Sequence, residues 1–277
     1  MSAAAVERRS LRIEIAEGIA EVVLVGPGKG NAMGPDFWRE MPTAFEALDR
    51  DPAVRAVIVR GDGGNFSYGL DLMAMAGEMG PLISGPQMAS ERQRLLDLVG
   101  DLQRAFNRVA ECRKPVIAAV AGWCIGGGLD LIAACDIRLS TKEARFSLRE
   151  VKVAMVADLG SLQRLPAIIG QGATRELAFT GKNIDADRAL RIGLVNDVFA
   201  TEAELLTAAR AMAKEITENS SVVVQGVKQV MNDCAGLSVS EGLRHVALWN
   251  SAFLQSMDLA EAFAAFAERR PPRFQGK

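Results

Sequence analysis

Short apolar runs and longer amphipathic runs alternate through the first half of the chain. "IAEVVLV" (19–25) is rich in β-branched residues and stops at Gly-Pro-Gly, which predicts a strand. "VRAVIVRG" (54–61) and "KPVIAAVAG" (114–122) read as further short strands of the kind buried on both faces. "PDFWREMPTAFEALDRD" (35–51) has helical periodicity, with Pro35 suited to a first turn and Pro42 expected to kink the helix. A long amphipathic helix is expected over about 88–111. This β-α-β-α rhythm favours a parallel, helix-covered α/β core. Beyond about residue 165 the periodicity turns helical. "ELLTAARAMAKEIT", "SVVVQGVKQVMNDCA" and "SEGLRHVALWNSAFLQSMDLAEAFAAFAERR" form this part, with Ser and Thr available as caps. These segments suit a layer that covers the core or meets other subunits.

The pattern breaks at "REVKVAMVADLGSLQRLP" (149–166). Val151, Val153, Met155, Val156, Leu159, Leu162 and Leu165 read as interior positions, but Glu150 and Asp158 do not.

 Burying a carboxylate costs several kcal/mol unless it is paired or keeps its proton. A third acid, Asp130, lies in "GWCIGGGLDLIAACDIR" (122–138), also in apolar company. Taken singly, each acid is explained by a salt bridge to Arg138, Arg149, Arg164 or Lys152, and Asp136 with Arg138 reads as a structural pair. Taken together, desolvation and like charge raise carboxylate pKa values into the range of general acid/base work.

Two small-residue turns supply a complement to these acids. The triple glycine of "GWCIGGGLDL" follows a strand and opens a helical pattern, so bare N–H groups can approach an anion or a developing oxyanion. The alternative there is a plain strand-to-helix turn. "GGNFSYGLDLMAM" (63–75) is a second such turn, able to offer an N–H near Gly69–Leu70, or simply a connection in which Asp71 caps a helix. Both turns follow core strands, the end at which α/β sheets bind ligands. "GPGKGNAMGPDF" (26–37) fits neither GxGxxG nor the P-loop, and Lys29 is a solvated lysine or a phosphate contact. The Met and Leu of "LDLMAMAGEMGPLI" (70–83) suit plain core or an acyl pocket.

Composition narrows the function. The 277 residues are 49% hydrophobic with a net charge of −2, an ordinary globular balance that argues against nucleic acid as a partner. His245 is the only histidine, which leaves little material for a Ser-His-Asp triad or a multi-His metal site, so no metal is expected. Cys112, Cys124, Cys135 and Cys234 lack CxxC spacing and read as free thiols in a reducing compartment. "MSAAAVERRS" has no apolar h-region, no run is long enough to span a bilayer, and "QGK" is not a peroxisomal signal, so the cytoplasm is expected.

"NFSYGLDL", "KPVIAAVAGWCIGGGLDL", "ACDIR", "LQRLPAIIG" and "GLVNDVF" together resemble the crotonase (enoyl-CoA hydratase/isomerase) superfamily along nearly the whole chain. The resemblance implies an α/β fold, a ClpP-like spiral of ββα and βαβ turns, with a C-terminal helical trimerisation region. It divides the chain into a core carrying the CoA and active site (1–200) and a helical region for oligomerisation and site cover (201–277). It implies homotrimers or dimer-of-trimers hexamers acting on acyl-CoA thioesters, with CoA as part of the substrate and no separate cofactor. By position, the N–H groups of Leu70 and Gly127 would form the oxyanion hole, and Tyr68, Gly69, Leu70, Asp71 and Leu72 would line the CoA site with Gly127.

The acids point to a subfamily. Typical hydratases of this family carry Glu after the triple glycine and Pro-Gly where this chain has Ala157–Asp158. Asp130, Glu150 and Asp158 instead look like the acidic trio of dienoyl-CoA isomerases in unsaturated fatty acid degradation. The resemblance then implies conversion of 3,5-dienoyl-CoA to 2,4-dienoyl-CoA, with Glu150 as base at C2, Asp158 as acid at C6 and Asp130 tuning or orienting them. The alternatives are a 2-enoyl-CoA hydratase, and a non-catalytic CoA-binding or RNA-binding relative.

Overall fold

The computed structural model describes residues 8–84 and 88–277; the first seven residues, read above for a leader peptide, lie outside the described residues. The chain begins with a hairpin that the apolar runs do not announce. β1 (Leu11–Ala16) pairs antiparallel with β2 (Ile19–Leu24), and Glu17 and Gly18 turn between them at φ 50° and 82°. The signal was present as strict alternation in "LRIEIA" before a glycine turn, the mark of an edge strand with one wet face.

From β2 onward the chain winds as expected. α1 (Pro35–Arg50) leads to β3 (Ala56–Gly61), then α2 (Leu72–Ile83), α3 (Ala89–Glu111), β4 (Val116–Val120), β5 (Trp123–Ile125) and α4 (Gly127–Ala134). Next come β6 (Ile137–Thr141), β7 (Arg145–Ser147), α5 (Ser161–Thr180), β8 (Ile184–Asp185), α6 (Ala186–Arg191) and β9 (Asp197–Phe199). Four helices close the chain: α7 (Glu202–Thr217), α8 (Ser221–Asp233), α9 (Val239–Phe253) and α10 (Met257–Glu268). The main sheet has the order β1-β2-β3-β4-β6-β9 and is parallel except for the β1–β2 pair. β5, β7 and β8 form a second, smaller sheet, so successive turns spiral between two sheets.

Burial on both faces explains the apolar strands. Val57 and Val59 of β3 face a core shared with α1, α3 and α4, whereas Ala56 and Ile58 face Leu205, Ala209 and Ala213 of α7. α1 runs through Pro42 without ending, because Trp38, Met41, Phe45 and Leu48 anchor it on both sides of the missing N–H. Thr201 and Ser238 complete capping boxes at α7 and α9, and Ser256 caps α10, dividing the last periodic run in two.

Three expectations change. Asp136 bonds Lys228 at 2.7 Å, while Arg138 donates to the carbonyls of Cys135 and Leu194. Each is structural, but they are not each other's partners. Val151, Val153 and Val156 are 43%, 46% and 75% exposed, so among the apolar residues of that stretch only Ala157, Leu159 and Leu165 are buried. The stretch is a 3-10 turn (Glu150–Val153), a loop and the opening of α5, not one continuous core element. In α2 only Met75 is buried, with Leu72, Met73 and Ile83 exposed, so this helix is not plain core.

Candidate active site

The two small-residue turns meet. Asn31, at φ 53°, donates its side-chain amide to the carbonyls of Asp62 and Asn65 and fixes the second turn from outside. The Ser67 hydroxyl donates to the Asn31 carbonyl and accepts the Gly69 N–H. The chain then passes Gly69 at φ 79°, where a Cβ would lie 2.5 Å from the Ile125 carbonyl oxygen and 2.9 Å from the Gly127 nitrogen. A Cβ on Gly127 would in turn lie 3.6 Å from the Leu70 nitrogen. Glycine is therefore required for approach at this crossing. Bridge bonds with Met33 use the Gly69 carbonyl and the Asp71 N–H, leaving Leu70 N–H out of the ladder. Neither Leu70 N–H nor Gly127 N–H has an acceptor among the described residues. The latter opens α4, adding the positive end of a buried helix.

The acids gather around this crossing. Asp130, in the first turn of α4, is fully buried. Its Oδ1 accepts the Ser161 N–H at 2.7 Å and also the Ser161 hydroxyl, while Oδ2 is buried without a partner among the described residues. Burial pushes its pKa up to about 6, with the Asp158 charge adding and the Ser161 bonds and Arg164 opposing. Glu150 follows β7 and reaches back to the triple glycine, so that a Cβ on Gly126 would lie 3.1 Å from its Oε1. Its Oε2 is buried and has no partner among the described residues. Burial, then the charges of Asp130 and Asp158, raise its pKa to about 7. Asp158 stands at the open rim, and partial burial shifts its pKa upward. Its backbone carbonyl accepts from the Gln103 amide of α3 at 2.7 Å.

The salt-bridge explanation does not hold for these three. None forms an ion pair among the described residues. Arg149 bonds Asn183, Arg164 bonds Asn107, and Arg138 is spent on carbonyls. The arginines near in sequence point elsewhere, leaving the carboxylates as available proton carriers.

Around them, the 68–72 loop is only partly a lining. Tyr68 packs over Gly30, where a Cβ would be 2.7 Å from the ring. Asp71 caps α2 by accepting the Ala74 N–H, so its structural reading is realised. Leu72 and Lys29 are exposed. A cavity of about 210 Å³ adjoins Glu150, walled by Leu148, Met155, Val156, Ala157, Leu162 and Phe179 among others. The sequence reading overlooked Asn31, Ser67 and Ser161; the only signal was a short polar side chain beside each glycine turn or acid. Apolar walls, two free N–H donors and three unpaired acids can hold an enolate oxygen and move protons near it.

Residues 14–277 match the family described as enoyl-CoA hydratase/isomerase. The chain is 44% identical over 260 residues to the mitochondrial delta(3,5)-delta(2,4)-dienoyl-CoA isomerase of Dictyostelium discoideum, covering 93% of this chain and 87% of that one. The peroxisomal delta(3,5)-delta(2,4)-dienoyl-CoA isomerase of Arabidopsis thaliana is 41% identical over 256 residues, 92% of each chain. The crystal structure of enoyl-CoA hydratase from Bacillus anthracis matches with a TM-score of 0.87 at 26% identity, covering 97% of this chain and all of that one.

Proposed function

The chain belongs to the enoyl-CoA hydratase/isomerase family, and from that premise we propose that it is an isomerase converting 3,5-dienoyl-CoA to 2,4-dienoyl-CoA. One observation carries this reading beyond the relatives: three unpaired acids, with Glu150 feeling the charge of both others, stand beside two free backbone N–H groups. A hydration needs two carboxylates to manage one water. A proton moved from C2 to C6 needs a base and an acid separated along the acyl chain.

Glu150 takes the C2 proton, and charge passes onto the thioester oxygen, which the Leu70 and Gly127 N–H groups hold as a dienolate. Asp158 then protonates C6. Each turnover leaves Glu150 protonated and Asp158 ionised, and exchange with solvent at the open rim restores both. Asp130 keeps the Glu150 carboxyl basic enough to act. CoA enters as part of the substrate, and the chemistry uses the chain's own groups.

The deciding assay offers crotonyl-CoA and a 3,5-dienoyl-CoA to the same preparation. The expected result is growth of the conjugated 2,4-dienoyl chromophore with little hydration of crotonyl-CoA. Efficient hydration without that chromophore would favour the hydratase reading. Gly69→Ala tests the oxyanion pair: its Cβ must displace Ile125 or Gly127, and the residue must hold φ 79°. A loss of about 100-fold in kcat is expected, the scale of one missing oxyanion donor. Unchanged kinetics would remove these two N–H groups from the mechanism.

The exposed apolar side chains of α8–α10, such as Met231, Val239, Leu243 and Phe266, support a subunit interface in the 201–277 region. A trimer or hexamer is the expected assembly, measurable by light scattering. Among the described residues no helix is long and apolar enough to cross a membrane. The four free cysteines favour a reducing compartment, which we take to be the cytoplasm, although the two relatives above are named mitochondrial and peroxisomal.

A further inference from the structure

We propose that Ser161 is a positioning residue: its hydroxyl and N–H together hold Asp130 Oδ1, so that Asp130 stays ionised with Oδ2 free toward the site. This inference rests on the isomerase reading. The geometry is one-sided. Both Ser161 donors converge on Oδ1, the serine and the aspartate are fully buried, and the second oxygen has no partner among the described residues. A serine there for packing alone would need no hydroxyl.

Placement gives the bond a second effect. Ser161 opens α5 three residues after Asp158, while Asp130 belongs to α4 beneath the oxyanion turn. One side chain therefore ties the loop of the C6 acid to the helix that supports the Gly127 N–H. The charged and titratable groups facing Asp130 are Glu150 and Asp158 from their loops, Arg164 from α5 and Cys124 from β5. Glu111 of α3 acts on Arg164 in turn. The Ser161 bonds and Arg164 favour the ionised form of Asp130. Removing the hydroxyl lets Asp130 keep its proton to higher pH, and Glu150 then loses a like charge and becomes a weaker base.

Ser161→Ala is the test, read in three ways. Infrared titration of carboxyl bands, assigned with Asp130→Asn, needs no turnover and should move the Asp130 midpoint upward from about 6. In kinetics with 3,5-dienoyl-CoA, kcat should fall roughly 10- to 100-fold with KM within about twofold. The acid limb of kcat/KM should shift to lower pH. In an Asp130→Asn background the serine substitution should cost little more, because both act through one carboxyl. Ser161→Cys, which keeps the branch point but offers a bulkier and weaker donor, should change each readout in the same direction by less, and serves if the alanine variant does not fold. An unmoved Asp130 midpoint, or a full additional loss in the Asp130→Asn background, overturns the proposal. A parent enzyme that leaves 3,5-dienoyl-CoA unchanged instead overturns the isomerase reading, and the infrared result still decides the role of Ser161.

Discussion

Glu150→Gln is expected to abolish nearly all turnover while making the folded protein more stable above neutral pH. Glutamine keeps the shape of the side chain but cannot accept the C2 proton. General-base losses are typically about 100- to 10,000-fold, and the upper end is expected because, among the described residues, no other carboxylate comes within 4 Å of where a Gly126 Cβ would stand. The stability change follows from the raised pKa. In the unfolded chain the group titrates near 4.5; in the folded chain it titrates at about 7. The folded state therefore holds the extra proton between those values, and stability falls as pH rises from about 4.5 to 7. A neutral glutamine escapes that loss, which is at most ~3 kcal/mol for a rise of this size. The two proteins should match near pH 4 and diverge above about pH 6, the variant melting higher at pH 8. In the parent, kcat/KM should rise with pH through about 7, the midpoint belonging to the coupled acids together. Thermal melts at both pH values and a pH–rate profile check all three points. A variant that retains a tenth of parental kcat would sink the assignment.

How far the sequence disclosed this site depends on what each residue does. β-branched runs such as "AVIVRG" announce a buried parallel strand because both faces are apolar, and β3 lies where the pattern put it. The glycine turns were legible for a related reason, since only glycine permits the crossing of Gly69 over Ile125 and Gly127. The acids stood out by their apolar surroundings, but the meaning of those surroundings did not. Val151, Val153 and Val156 face outward, and an apolar residue in sequence carries no mark that separates a core from a ligand wall or a subunit face. Partners were the least legible. Nothing in "CDIR" says that Asp136 meets Lys228 across 92 residues, and nothing in "GGGLDL" says that Asp130 meets Ser161 across 31. Such bonds depend on how the spiral stacks its turns, and that is a property of the whole fold.

Asp158→Asn should separate the two halves of the reaction and show the second-largest loss of activity. Asp158 lies where solvent reaches it, and its backbone carbonyl is fixed by Gln103, so an isosteric amide leaves the loop in place. Arg164, bonded to Asn107, holds the same loop from α5 by packing against Gly160. Asparagine can occupy the site but has no proton to deliver to C6. Isomerisation is expected to fall by about 1,000-fold, within the range for a lost general acid. The first half should survive, since Glu150 and the N–H groups of Leu70 and Gly127 remain. In deuterated water the variant should therefore exchange the C2 hydrogens of 3,5-dienoyl-CoA at a rate well above its rate of product formation. Glu150→Gln should lose exchange and isomerisation together. This contrast assigns the roles by chemistry, because a merely misfolded site would lose both in either variant. Near-normal appearance of the 2,4-dienoyl chromophore in Asp158→Asn would move the C6 acid elsewhere. Loss of C2 exchange along with turnover would show that Asp158 acts on the first step, and Glu150 would no longer be the lone base.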